Sequence, residues 1–505
     1  MVTNRRLNSK RNIIFGGLQK LTVILLPFLL RTVMLYTLGE QYLGISSLFT
    51  SILSVLNLAE LGFGTAITYS MYKPIAENDN GKICALLNLY KTIYRIIGVI
   101  VLVIGLTLMP FLPKLISGTY SNDINIYLLY FIYLVNTVFS YTLFAYKSSL
   151  LIAFQRNDIN SIVGMYLNVL LNIIQIVMLI VYKNYYFYII FRPIFTIINN
   201  ITIAIVTDRL LPAYNCKGKL DKQTILDIRK RVVALVVQKF GDVINTSFDS
   251  IIISAFLGLT TVAIYSNYYY ILNSVGCLIG IVYTAVIPII GNSIATDPVD
   301  KNYIDFITFS FLNQWTITVG TACLLCLYQP FMCFWAGKTL MFPNATVYLF
   351  TIFFYFWLVR YNVITYKDAA GIWHEDMIRP VVAAGFNLLL NIILSKIIGV
   401  NGVIISTILG TFVISLPWET HVLFKNYFKR STSEYYIGLI KHTFISLLTC
   451  VICFLICGML PKYGVTWILI KCIISVLVSN ICLLMFYFRT KNFKNAIEFC
   501  VRFIR

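Results

Sequence analysis

Charged residues are scarce in this chain. Asp, Glu, Lys and Arg make up 12% of its 505 residues, about half of the roughly 25% usual in a soluble domain. Acidic side chains are fewer still, 20 against 40 Lys and Arg. Histidine occurs three times, at His374, His421 and His442, too few and too scattered to build a metal centre. No glycine-rich phosphate loop, zinc-finger spacing or RNA-binding aromatic motif occurs. Nucleic acid is therefore excluded as a partner despite the net charge of +20. Long polar loops are also missing. The largest outward connection, residues 328–345, is shorter than twenty residues, which leaves membrane glycosyltransferase or polymerase chemistry little room. The twelve cysteines fall mostly inside apolar runs. Cys323–Cys326 and Cys450–Cys453 are CxxC by count, but within membrane-length runs they read as small core residues.

Apolar residues are abundant: 59% of the chain is hydrophobic, with mean hydropathy +0.81. A solvated core cannot hide that much. A bilayer core of about 30 Å needs about 20 apolar residues per helix. Breaks at charges, Pro and Gly then predict an all-α polytopic membrane protein of fourteen spans. They fall near 13–38, 42–69, 84–110, 124–146, 160–182, 185–207, 232–257, 262–291, 303–328, 345–366, 378–396, 401–424, 436–460 and 465–488. The first has basic residues before it and no small-residue cleavage site after it, so it reads as a retained helix. With both termini cytoplasmic, 27 of the 40 Lys and Arg lie at inward ends and five in outward loops, as the positive-inside rule requires. Two further helices read as non-spanning. One is the basic stretch Leu220–Arg231 in the longest inward loop. The other is the tail after Phe488, where Phe493, Ile497, Cys500, Val501 and Ile504 form one apolar stripe, the pattern of a membrane-surface helix.

An offset of 219 residues aligns helices 1–2 with helices 7–8. Gln19-Lys20 falls on Gln238-Lys239, Leu38-Gly39 on Leu257-Gly258, and Ile52-Leu53 on Ile271-Leu272, with eight identities over 35 positions. Six helices between copies give both halves the same orientation, a parallel repeat. The expected domains are an N-lobe over 1–207, a basic linker over 208–231, a C-lobe over 232–424, an added helix pair over 425–488 and the tail over 489–505.

The 6+6+2 arrangement, the opening basic helix with Gln19-Lys20, and LGEQYLGISSLFTSILSVLNLAELGFGTAI at 38–67 resemble the polysaccharide-repeat (O-antigen and capsule, Wzx-type) flippases. These belong to the multidrug/oligosaccharidyl-lipid/polysaccharide exporter superfamily. The resemblance implies a V-shaped, two-lobed, alternating-access transporter in the bacterial cytoplasmic membrane. It implies no cofactor, with H+ or Na+ coupling left open, and no enzymatic step. The implied cargo is an undecaprenyl-pyrophosphate-linked oligosaccharide carried to the outer leaflet, with a polysaccharide polymerase and glycosyltransferases as partners. A lipid II flippase and a cation-coupled multidrug exporter are the alternatives.

An ionisable group within a span costs roughly 2.5–3.5 kcal/mol on insertion scales, so each needs a partner or a polar cavity. Arg31, four residues after Pro27, is the first candidate for the pyrophosphate, since a guanidinium offers forked donors to it. By the repeat it matches Ser250, so a structural pair with Asp249 is the competing role. Lys91, Arg95, Arg192 and Arg360 are the other candidate cavity cations. Lys239, Asp242 and Asp249 fall on one helix face as a gate or ion-coupling site, with a local Lys239–Asp242 pair as the competing role. Glu60, the fourth gate candidate, and Arg95 stand equidistant from the 70–83 turn and are expected to pair. Lys471 reads as a surface lysine reaching for the membrane interface. The 34 tyrosines, including Tyr268-Tyr269-Tyr270, read mainly as interfacial belts.

Overall fold

The computed structural model describes residues 5–57, 60, 63–118, 120–121, 123–461 and 464–504, and these are helical almost throughout. Inside a bilayer each backbone N–H and C=O must be satisfied within its own segment, and an apolar helix does this. Most described residues of the expected segments are helical, but the segments at 42–69 and 124–146 are each divided between two helices. Among the described residues, ten helices are long and apolar enough to cross a membrane, or eleven if one bent pair counts as a single span. The chain divides into two compact units, 1–263 and 264–505.

The first unit opens with α1 (Arg5–Leu38), which packs mainly on α7 (Asn157–Tyr182). The second expected span is not continuous. It is α2 (Glu40–Leu56) and α3 (Phe63–Glu77), with Glu60 in the break between them. α4 (Asn80–Leu108) starts where the Asp79 carboxylate accepts from Lys82 N–H at 2.9 Å, a side-chain N-cap. α5 (Ile126–Thr142) and α6 (Tyr146–Ala153) form the bent pair, at 48°, with Phe144 between them at φ 56°. α4 and α5 approach closely at Gly98, where a Cβ would stand 2.5 Å from the Thr142 methyl. Such small-residue contacts replace the hydrophobic effect as the packing force between helices in lipid. α8 (Tyr185–Leu210) closes this bundle on α5 and α7.

The basic stretch 222–231 is not a separate surface helix. It is the first part of α9 (Lys222–Leu257), one rod of 36 residues. Thr224 donates its N–H and its hydroxyl to Asp221, at 2.8 and 2.6 Å. These bonds hold the Asp221 carboxyl below its usual range. No proline or glycine interrupts 222–240, so nothing stops the helix there. α9 packs on α2 within the first unit and ends at Gly258, after which α10 (Leu259–Thr296) begins.

In the second unit α11 (Val299–Trp335) is central. It packs against α12 (Asn344–Ala369), α16 (Ser433–Gly458), α17 (Val465–Tyr487) and α18 (Lys491–Ile504). α13 (Arg379–Ile398) and α14 (Val400–Leu409) form a tight hairpin in which Gly402 lies against the Leu394 carbonyl. α14 runs through a wide turn at Gly410–Ser415 into α15 (Leu416–Leu423). Phe306, Tyr366, Phe424, Phe428 and Tyr435 form an aromatic core. Cys326, Cys450, Cys453 and Cys457 are buried together with Ala322.

Within the tyrosine run, Tyr268 is turned into the second unit while Tyr269 and Tyr270 are half-buried. Tyr268 is fully buried and donates to Gln329 at 2.9 Å, so its hydroxyl is satisfied within the unit. In the tail helix Phe493 stacks on Trp315, centroids 5.9 Å apart, and Ala496 is buried, whereas Ile497 is exposed. The side chains of Cys500, Val501 and Ile504 lie outside the described residues.

Candidate functional site

Two polar sites in the first unit share the same two helices. At the end where α1 gives way to α2, α8 carries Tyr185, Tyr188 and Arg192 on one face, spaced three and four apart. α5 adds Tyr133, and α2 adds Tyr42 and Ser46. Tyr133 hydrogen-bonds Ser46 at 2.8 Å and Tyr185 at 2.7 Å. Arg192 donates to the Tyr188 hydroxyl at 3.1 Å. Its guanidinium stands 5.7 and 5.8 Å from the Tyr133 and Tyr188 ring centres, inside cation–π range. Arg31, half-buried on α1, lies within electrostatic range of the same Tyr188. The fold thus brings together two of the five expected cavity cations.

Seven residues further along each helix, and therefore on the same face about 10 Å away, Ser140 of α5 and Asn199 of α8 line a cavity of 620 Å³. That volume is ordinary for a small-molecule pocket. Its walls carry Tyr69, Tyr72, Tyr90, Tyr94 and Tyr141, with Ser148, Ser149 and Asn200. Glu60 brings the cavity's formal charge. Tyr90 donates to Tyr94 at 2.7 Å, and Tyr94 donates in turn to the Glu60 carboxylate. Gly64 makes room for this relay, since a Cβ there would stand 2.7 Å from the Tyr90 hydroxyl.

The expected Glu60–Arg95 pair does not form. Arg95 lies on the exposed face of α4, one residue and so about 100° round from Tyr94, and Tyr94 takes the carboxylate instead. Arg95 acts electrostatically on Tyr146, and the Lys91 ammonium stands 6.0 Å from that same ring. Lys147 is buried beside them and pairs with Asp208.

On α9, Asp249 is buried while Lys239 is exposed, so the two sit in different surroundings. The Asp242 side chain lies outside the described residues.

Arg360 sits in the second unit, within an ionic network. Its Nε and Nη2 donate to Glu419 at 2.9 and 2.7 Å. Arg379 reaches the same carboxylate at 3.1 Å and forks onto Asp376 at 2.9 and 3.1 Å. Lys367 pairs with Asp376 as well. Both prongs that Arg360 would offer a phosphate are engaged. Sequence reasoning missed Glu419 and Asp376. The signal for Glu419 was present, because it is an acid inside the apolar segment 401–424.

These features define a multi-pass membrane protein with a transporter's architecture. The chain belongs to the polysaccharide biosynthesis protein family, whose sequence model matches residues 9–293. Among solved structures, it is similar to "Lipid II flippase MurJ, inward closed conformation". The TM-score is 0.66 at 16% identity, covering 94% of this chain and 99% of that one. A multidrug resistance MATE family transporter of the MOP superfamily, in its inward-facing conformation, gives a TM-score of 0.60 at 13% identity, covering 81% and 97%. A variant of the Vibrio cholerae MATE transporter VcmN gives 0.56 at 15% identity, covering 85% and 100%. At these identities the likeness is one of fold. No curated protein sequence matches the chain.

Proposed function

We propose that this protein is a flippase for undecaprenyl-pyrophosphate-linked oligosaccharide repeat units, moving them from the cytoplasmic to the outer leaflet of the bacterial cytoplasmic membrane. The observation that carries this is the placement of two sites on one face of α5 and α8. Arg192 and Arg31 gather at Tyr188, and a tyrosine- and asparagine-lined cavity lies about 10 Å along. Forked guanidinium donors suit a pyrophosphate. Aromatic faces with hydroxyl and amide groups suit a neutral sugar, and the cavity carries no cation that would compete for the phosphate.

Outward movement of each negative charge through an inside-negative membrane gains about 2.3 kcal/mol per 100 mV. The cycle therefore needs no nucleotide. The protein supplies cations that replace headgroup hydration and a polar surface for the sugar, and it makes or breaks no bond. Coupling to H+ or Na+, if it operates, falls to the acids Asp242, Asp249 or Glu60.

A lipid II flippase is the second reading, supported by the MurJ-like fold over 94% of the chain. Reconstitution into liposomes separates the readings. Fluorescently labelled undecaprenyl-pyrophosphate oligosaccharide, lipid II and a cationic dye are offered to the same preparation. Movement of the oligosaccharide lipid in clear excess over the other two supports the proposal. Preference for lipid II favours the second reading, and dye export alone overturns both.

A further inference from the structure

Lys471 is buried, with 4% of its surface exposed. It was expected at the membrane surface because it lies outside the internal repeat. The packing of α17 on α11 and α16 instead turns it inward. Its backbone carbonyl accepts from Ser475 at 2.6 Å. Its ammonium makes no ion pair and no hydrogen bond with any described residue, which sets it apart from the other buried lysines, Lys147 and Lys367, each of which has a carboxylate. A charged group held in a low-dielectric interior without a counter-charge costs several kcal/mol, so a lysine kept there implies something that meets it.

Lys471 lines a cavity of 260 Å³ at the end where α11 stops and α12 and α17 begin. The polar part of the wall is fixed in place. Gln329 accepts from Tyr268 and donates to the Phe342 carbonyl at 2.8 Å and to Asn344 Oδ1 at 3.0 Å. With its oxygen already used, Asn344 has its amide N–H groups left to donate. Lys471 is therefore a buried donor with no acceptor among the described residues, Asn344 offers its amide from the exposed rim of the same cavity, and no carboxylate is among the residues that line it. That is a site for an anion.

The source of the anion follows from the other side of the cavity. Leu325, Tyr348 and Phe454 also line a second groove of 380 Å³, which continues between α12 and α16 past Ile352, Phe356 and Val451. Tyr348, Ile352, Val451 and Phe454 are large apolar side chains with 39–45% of their surface exposed. On a membrane-spanning unit such surfaces face acyl chains. The anion site and the apolar groove thus share a wall, with a cation at one end and a lipid-facing slot at the other.

We propose that the second unit carries a binding site for an anionic membrane phospholipid. Its phosphate is held by the Lys471 ammonium and the Asn344 amide, and one acyl chain lies in the groove between α12 and α16. The site lies in a different unit from the Arg31–Arg192 cluster and the Glu60 cavity and is independent of the transport reading.

The full chain is reconstituted into nanodiscs of phosphatidylcholine alone, or with 30% phosphatidylglycerol, and its thermal unfolding is followed. Wild type is expected to melt higher in the phosphatidylglycerol discs. Lys471→Met, which keeps the volume and removes the charge, should melt at the same temperature in both. Lys471→Arg should keep most of the difference. Lipid carried through detergent purification gives a second readout, with phosphatidylglycerol enriched on wild type and at least tenfold less enriched on Lys471→Met. An equal response of wild type and Lys471→Met overturns the proposal, and so does the absence of any phosphatidylglycerol effect, which would mean that water alone solvates the ammonium. Inorganic phosphate added to the phosphatidylcholine discs tests the source. If it reproduces the full Lys471-dependent shift, the lipid assignment is overturned in favour of a free anion.

Discussion

Arg360 and Glu419 meet through two parallel hydrogen bonds of 2.9 and 2.7 Å, with the carboxylate fully buried and a second arginine, Arg379, on one of its oxygens. The pair joins α12 to α15, and Asp376 extends it to the start of α13. Breaking such a pair from one side is costly, about 3–5 kcal/mol, because the remaining charge is left buried. Glu419→Gln is therefore expected to lower the melting temperature of the detergent-solubilised protein strongly. The paired change Arg360→Met with Glu419→Leu should cost much less than Glu419→Gln alone. If Glu419→Gln melts like wild type, the network does not hold the unit together.

In the first unit the Glu60 carboxylate depends on Tyr94. Tyr94→Phe removes that donor, but Glu60 is only half-buried and Tyr141 also bonds it, so the loss should be about the 1 kcal/mol of one hydrogen bond. Gly64→Ala attacks the same relay from the other side, since the added methyl would stand 2.7 Å from the Tyr90 hydroxyl and must displace it. Both variants should be less stable than wild type. Combined, their effects should fall short of additive, because they act on one chain of hydrogen bonds. Thermal unfolding of the two single variants and the double variant measures this coupling.

Where the sequence was legible, the signal was apolar run length. It marked out an all-helical chain, because a single apolar segment in lipid satisfies its own backbone only as a helix, although two of the expected spans, 42–69 and 124–146, are each split into two helices. It failed where the outcome depends on how a helix is rotated. Glu60 and Arg95 stand at matching distances from their turn, but the break after Leu56 and the one-residue step from Tyr94 to Arg95 decide which side chain faces inward. Lys471 was misplaced for a related reason, since lying outside the repeat says nothing of which neighbour covers it. Lys239 and Asp249 share a helix face by spacing, yet one is exposed and the other buried, because burial depends on what packs where along the 36-residue rod. Arg192 and Arg31 were singled out as intramembrane cations, but their meeting at Tyr188 needs α1 and α8 in place.

The repeat offers a sharper test. Gly39 and Gly258, 219 residues apart, adopt nearly the same backbone, φ 92° and ψ 177° against φ 85° and ψ 170°. Their N–H groups donate to Leu35 and Ser254, which are also 219 apart, at 3.2 and 3.3 Å. Positive φ with extended ψ is a glycine conformation, and a side chain there costs about 1–3 kcal/mol. Gly39→Ala and Gly258→Ala should each destabilise by that order. At Gly258 the new methyl would also stand 3.0 Å from the Ser117 carbonyl. Gly16 has open space around it and an ordinary helical backbone, so Gly16→Ala should be neutral or slightly stabilising. Equal melting of the three variants would remove the glycine-only backbone conformation as the reason for the shared Leu-Gly.

Transport itself tests the Arg192 cluster. The guanidinium is held between the Tyr133 and Tyr188 rings and tethered to the Tyr188 hydroxyl through one nitrogen, which orients the remaining donors. Arg192→Ala removes charge and fork together and should cut oligosaccharide-lipid flipping in liposomes at least tenfold. Arg192→Lys keeps the charge but not the planar fork and should retain a fraction. Tyr188→Phe keeps the ring face and loses the tether, so its loss should be smaller than that of Arg192→Ala. A purely structural arginine would give a different order, with activity tracking the melting temperature across all three variants. If Arg192→Ala folds normally and flips normally, the phosphate contact lies elsewhere, and Arg31→Ala in the same assay decides whether the cluster takes part at all.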